Sequence, residues 1–221
     1  MAGVPGVSGD RYDVATAGRH LALGWRWPRA AMREARGIGE GTRLGLVIVS
    51  GALVVLVDPA EDGFPRFVAA QVADRATLAV SLGEVAVWGV GLLAVLLLLY
   101  GGVVGTLWLF TRPSPAKPPF AALRSVVAVA SWVSTLPVLA VGLMSFLTGF
   151  DIIGGILMLG LWTAFAGLCL SEVTGLDPRA CTGLALGSTI LASVAIAAAI
   201  AGLSVTLIHE DAVGLAEGLT P

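Results

Sequence analysis

Charge is what this sequence has least of. Only 13% of its 221 residues are Asp, Glu, Lys or Arg, while 57% are hydrophobic. Soluble domains carry roughly a quarter charged residues, and a soluble chain of this length could not hide so much apolar surface, so that class is excluded. Histidine is nearly absent: neither His20 nor His209 has a carboxylate or cysteine spaced to share a metal with it. The two cysteines, Cys169 and Cys181, show neither C-x-x-C nor metal spacing. Both fall at or near a face assigned below to the cytoplasm, where thiols stay reduced, which argues against a structural disulfide. The chain also lacks G-x-S-x-G, H-E-x-x-H and P-loop patterns, and "GIGEG" and "YGGVVG" follow no strand. We therefore expect no enzyme, no catalytic residue, no cofactor and no metal. Lysine is represented by Lys117 alone. With abundant Ala and Gly, that arginine bias points to a GC-rich bacterial genome.

What is present is long apolar runs. A bilayer's hydrocarbon core is about 30 Å thick, and a helix rising 1.5 Å per residue needs about 20 apolar residues to cross it. Four segments qualify: 85–109, 125–148 (interrupted by Pro137), 152–170 and 183–208. None contains Asp, Glu, Lys, Arg or His, the groups that usually mark an ion or proton path through a membrane. Glu84, Asp151 and Glu172 flank these segments and read as solvated interfacial groups. Trp88 and Trp108, twenty residues apart, match two interfacial belts, whereas Trp132 and Trp162 fall inside their spans and are expected to pack between helices. A fifth run, 44–57, is short for a span, and charge decides its reading. If it crosses, eleven basic residues share one face against two, Arg66 and Arg75, on the other; if not, the split falls to nine against four. Cytoplasmic loops carry the Lys/Arg excess. The expected fold is all-α: five transmembrane helices and a short N-terminal juxtamembrane amphipathic helix, N-terminus cytoplasmic, C-terminus periplasmic.

The organisation follows. Residues 1–24, small and polar, are expected to form a disordered tail without the features of a signal peptide. Residues 25–43 form the basic juxtamembrane helix, 44–208 the membrane domain and 209–221 a short acidic tail. The loop "RPSPAKPPF" is a stiff connector, and Gly175 and Pro178 mark a turn between the last two spans.

"WRWPRAAMREARG" concentrates basic charge immediately ahead of the first span. Pro28 suits a first helical turn, and Arg29, Arg33 and Arg36 then recur on one helix face. Trp25, Trp27 and Met32 can lie in the interface beside them. With Arg26 and Arg43 these arginines either merely orient the first span or dock on anionic phospholipids or a protein partner. The patch is too small and too close to the membrane to bind nucleic acid. The last span carries Gly183, Gly187, Ser188, Ala192, Ala195, Ala199 and Gly202, a small-residue seam for close helix packing within the bundle or, as the lesser alternative, between copies.

The chain resembles the Yip (Rab-interacting) domain family of membrane proteins in its bacterial form. The resemblance rests on "WRWPRAAMREA" leading into the first span, on "FAALRSVVAVASWVSTLPVLAVGL" with its Pro137, and on "LWTAFAGLCLSEVTGLDPRACTGLAL". It covers roughly Trp25 to Ile208. "RPSPAKPP" replaces the family's glycine-rich link, and the tyrosine- and glycine-rich motif of eukaryotic relatives is missing, so the resemblance does not extend to Rab binding. It implies a non-enzymatic helical bundle that organises or scaffolds other membrane proteins or lipids in a bacterial inner membrane. Two alternatives stay open: a transporter or channel component lined by Ser131, Ser134, Thr135, Ser145 and Thr163, and an accessory subunit of a larger membrane complex.

Overall fold

Lipid offers backbone groups no hydrogen bonds, so a chain of this composition must close its amides within helices. The computed structural model describes residues 12–55, 78–113 and 117–217, excluding the side chains of residues 36, 78–88, 146, 151 and 203–217. Among the described residues all regular structure is helical. The helices are α1 (Val14–Leu23), α2 (Pro28–Glu34), α3 (Glu40–Val55), α4 (Leu78–Thr111), α5 (Phe120–Thr148), α6 (Asp151–Thr174) and α7 (Pro178–Glu217), with one 3₁₀ turn at Ala35–Gly37.

Local chemistry sets the helix ends. Gly149 and Gly175 adopt left-handed conformations after α5 and α6, φ 72° and 69°, and their N–H groups donate back to the Ser145 and Ser171 carbonyls. Only glycine enters that region without steric cost. The Asp177 carboxylate accepts from the N–H groups of Arg179 and Ala180, and Pro178 opens α7. The turn expected at Gly175 and Pro178 is therefore present, and α7 begins five residues before the expected 183.

Four helices are long and apolar enough to cross a membrane, over Gly89–Thr111, Phe120–Ser145, Ile152–Thr174 and Pro178–Gly202. α3, sixteen residues over its described length, falls short of that measure. α5 is the central helix: 56% of its apolar window is buried, against 22% for α4 and for α7. It packs on α6 and α3, α6 packs on α7, and α7 on α4. Leu123, Val126, Val129 and Val133 of α5 are fully enclosed with Leu107, Leu170 and Cys181. Outward, Val90, Leu98, Ile156 and Val194 are bare, an apolar mantle suited to hydrocarbon.

Where helices approach most closely, a glycine permits it. A Cβ on Gly167 would lie 2.6 Å from Thr182 Cα, and one on Gly154 would strike the Ser145 side chain. The expected seam on α7 needs correction. Ser188 and Ala192 are buried, but Gly183, Gly187, Ala195, Ala199 and Gly202 are exposed. The face that packs is Cys181, Ala185, Ser188, Thr189 and Ala192, turned partly away from the small-residue repeat. The Ala192 side chain sits against Gly102 of α4.

The N-terminal stretch also departs from expectation. Residues 14–23 are helical rather than disordered. The Asp13 carboxylate caps α1 by accepting from Thr16 N–H at 2.7 Å, and tertiary contacts hold the helix against α5. Residues 1–11, 56–77, 114–116 and 218–221 lie outside the described residues, as do the side chains of Arg36, Glu84, Trp88, Asp151 and His209.

Candidate functional site

An ionic band crosses one end of the bundle. In α3, the Arg43 guanidinium donates to Glu40 at 3.0 Å and to Ser125 Oγ on α5 at 2.9 Å. Arg124 of α5 donates to the other Glu40 oxygen. Arg33 of α2 pairs with Glu172 of α6 at 3.5 Å. The band consumes Arg43, whose side chain is only 13% exposed. Arg43 therefore does not belong to an outward docking face, because its charge is neutralised within the bundle. Glu172 is likewise no solvated group; it is mostly buried beneath Arg33.

α1 packs on α5 and α2 on α5 and α6, and side-chain contacts of Arg19 and His20 with Glu34 draw the two helices into a hairpin. Its bend reaches past the ionic band. Gly24 lies against Val133, its Cβ position only 2.7 Å from a Val133 methyl. Val133 is eight residues beyond Ser125, about 12 Å further along α5. The Trp132 indole N–H donates to the Ala17 carbonyl at 2.8 Å, as expected of a tryptophan packed between helices. The hairpin closes on itself through His20, which is buried. One ring nitrogen lies 2.8 Å from the Tyr12 hydroxyl and the other 2.9 Å from a Glu34 oxygen. Both ring nitrogens are therefore engaged, one with a phenol and the other with a carboxylate. Arg19 completes the cluster, 2.7 Å from the same Glu34 oxygen.

These contacts shift the acids. The hydrogen bond from His20, with Arg19 beside it, holds the Glu34 carboxyl below its ordinary range. Burial, helped by the nearby Glu34 charge, pushes the Tyr12 phenol up to about 12. Backbone and side-chain hydrogen bonds with Thr16 lower the Asp13 carboxyl. Sequence reading missed this cluster. The Asp13–Thr16 capping pair was the one local signal for it, while the partnership of residues 12, 20 and 34 arises only from the hairpin.

The hairpin turns Pro28, Ala31, Met32 and Ala35 inward, so Met32 is core and not interfacial. Outward it presents Leu23, Trp25, Arg26, Trp27, Arg29 and Arg33. The Arg26 guanidinium rests over the Trp25 ring, 5.0 Å from its centroid, a cation–π contact. Arg26, Arg29, Arg33 and the two tryptophans are each exposed, Arg29 and Arg33 one turn apart on α2 and Arg26 in the bend before it; Arg43 does not join them, and the Arg36 side chain lies outside the described residues.

The transmembrane hydroxyls fall into two groups. Ser131 and Ser134 border a cavity of about 260 Å³ among α3–α7. Thr135, Ser145 and Thr163 are buried between helices. Trp162 donates to Ser131 Oγ at 3.1 Å. The two free cysteines are buried. Among the described residues, no group of three His, Cys, Asp or Glu side chains is placed to hold a metal.

Four apolar helices long enough to span and a bare apolar mantle define a membrane-embedded helical protein. No protein-family model, curated protein or solved structure matches the chain.

Proposed function

We propose that this chain is a five-span membrane protein of the Yip type that works by interaction, organising or scaffolding lipids and other membrane proteins in a bacterial inner membrane. The fifth span is α3. It runs parallel to α5, with Arg43 meeting Ser125 at one end and Ser50 meeting Ser131 and Thr135 further along, which is how a membrane helix would pack. The orientation puts the hairpin and ionic band at the cytoplasmic face and the C-terminus in the periplasm, where charge bias favours them. The resemblance carried by "WRWPRAAMREA" and the segments around Pro137 and Pro178 supports the family reading.

The observation that carries the function is the hairpin's outer surface. Trp25 and Trp27 suit the interfacial layer, and Arg26 and Arg29 stand beside them free to meet phosphate. Each basic residue near an anionic leaflet contributes about 1 kcal/mol. Replacing Arg26 and Arg29 with serine should therefore cost about 2 kcal/mol, roughly a thirty-fold loss of affinity for anionic lipid at low salt. Arg33 is kept, because it anchors α2 to Glu172. Anionic phospholipid retained per protein after mild-detergent purification, measured by mass spectrometry, should fall while zwitterionic lipid is unchanged. Equal retention by the double variant refutes the docking surface.

A further inference from the structure

We propose that the cavity among α3–α7 receives a hydrocarbon chain of a surrounding phospholipid, making this a lipid-chain site inside the bundle. The site is independent of the arginine surface and needs only that the bundle sit in a membrane. Its walls are Val47, Val54, Leu99, Val103, Val127 and Val138, with Met158 and Trp162 on the α6 side. At about 260 Å³ it exceeds the roughly 150 Å³ apolar cavity that stays dry and takes up benzene.

The polar atoms on the wall argue for hydrocarbon over water or a polar solute. A buried water needs two to four polar partners, and here the hydroxyls are already engaged. The Ser131 carbonyl accepts from Ser50 at 2.8 Å, Thr135 at 2.8 Å and Ser134 at 3.2 Å. Ser131 Oγ accepts from the Trp162 indole. Thr189 donates to the Ala185 carbonyl of its own helix at 2.8 Å, and the Tyr100 hydroxyl turns to the Arg124 carbonyl. An unfilled void loses dispersion contacts along its whole lining. In a bilayer the occupant at highest local concentration is an acyl chain.

A way in lies between α3 and α4. There the wall is the Leu96 side chain lying over Gly51: its methyl carbon is 2.7 Å from where a Cβ of residue 51 would stand.

The test uses the full chain in phospholipid vesicles containing a trace of phosphatidylcholine with a mid-chain diazirine. After irradiation, adducts are mapped by peptide mass spectrometry. Leu99, Ser131 and Trp162 line the cavity and are half-buried, so a chain within the cavity meets them. Adducts are expected there as well as on outward Leu98 and Ile156. Val138→Phe, which fills the cavity, should reduce the inner adducts at least ten-fold and leave the outer ones unchanged; Ser134→Met serves as a second filling variant if the first melts early. The proposal is overturned if Leu98 and Ile156 are labelled and the three inner positions are not, if inner labelling survives filling, or if a water-soluble diazirine labels the inner positions instead.

Discussion

Gly167 offers the sharpest test of how the bundle is held together. A Cβ there would lie 2.6 Å from Thr182 Cα, 2.7 Å from its backbone nitrogen and 2.2 Å from its hydroxyl. Comfortable carbon–carbon separations are about 3.5–4.0 Å, so in Gly167→Ala α6 and α7 must part by about 1 Å at their crossing. A gap of that size forfeits a quarter to a half of each contact's attraction, and overpacking of this kind costs about 1–3 kcal/mol. Alanine's better helix propensity returns about 1 kcal/mol, leaving a net loss of up to about 2 kcal/mol. Gly187→Ala is the matched control. It lies in the small-residue repeat of α7, yet a Cβ there meets nothing within 4 Å, so the change should be neutral or slightly stabilising. Reversible unfolding in bicelles, followed by tryptophan fluorescence, compares the two. If Gly187→Ala loses as much as Gly167→Ala, the exposed glycines pack against something, and the packing face assigned to α7 is wrong.

Three further outcomes are expected. Because the folded-state pKa of Glu34 lies below its ordinary value of 4.5, its contribution is complete above that value and is lost as pH falls through the lower one. Acidification should then lower hydrogen-exchange protection across α1 before the spans respond, and Glu34→Gln should remove that step; α1 protection that falls only together with that of the spans contradicts the clasp. Tyr12 works in the opposite sense. With its phenol raised to about 12, its contribution is complete below pH 10 and lost as pH approaches 12, so its tyrosinate absorbance should appear after that of an unburied tyrosine. Ser50→Ala removes the bond to the Ser131 carbonyl and the contact with the Thr135 hydroxyl but leaves Thr135 donating to the Ser131 carbonyl. Interhelical hydrogen bonds in bilayers average about 0.6 kcal/mol, so the unfolding free energy should fall by less than 1 kcal/mol; a loss above about 2 would mean the network does more than join α3 to α5.

Four helices were legible because a charge-free run of twenty residues in this composition has few alternatives to a span. Gly149, Gly175 and Asp177 also announce their roles locally, as C-caps and an N-cap. α1 was not legible. Ten residues are too few for a helix to hold in isolation, and what fixes this one is Trp132, more than a hundred residues away. The exposure of Arg29 and Arg33, two of the three arginines placed on one helix face by spacing, is seen on α2, but the withdrawal of Arg43 into a pair with Glu40 and Ser125 was not legible, since both pairing and exposure satisfy the same pattern. The α7 repeat teaches the same point. Steps of three and four residues define a stripe, and Ser188 and Ala192 do lie on the buried side. Which way the rest of the stripe faces is set by Gly102, Gly167 and Thr182 on the meeting surfaces, a property of the assembled bundle.

The central claim is that α3 crosses the membrane with the four longer helices, leaving the N-terminus and the ionic band on the cytoplasmic side and the other end of the chain outside. Reporters of compartment, active on one side only, placed before Met1 and after Pro221 in bacterial cells, test it most directly. Opposite compartments, with the N-terminal reporter cytoplasmic, is the result predicted. Both reporters on the same side would mean an even number of crossings and would remove α3 from the membrane.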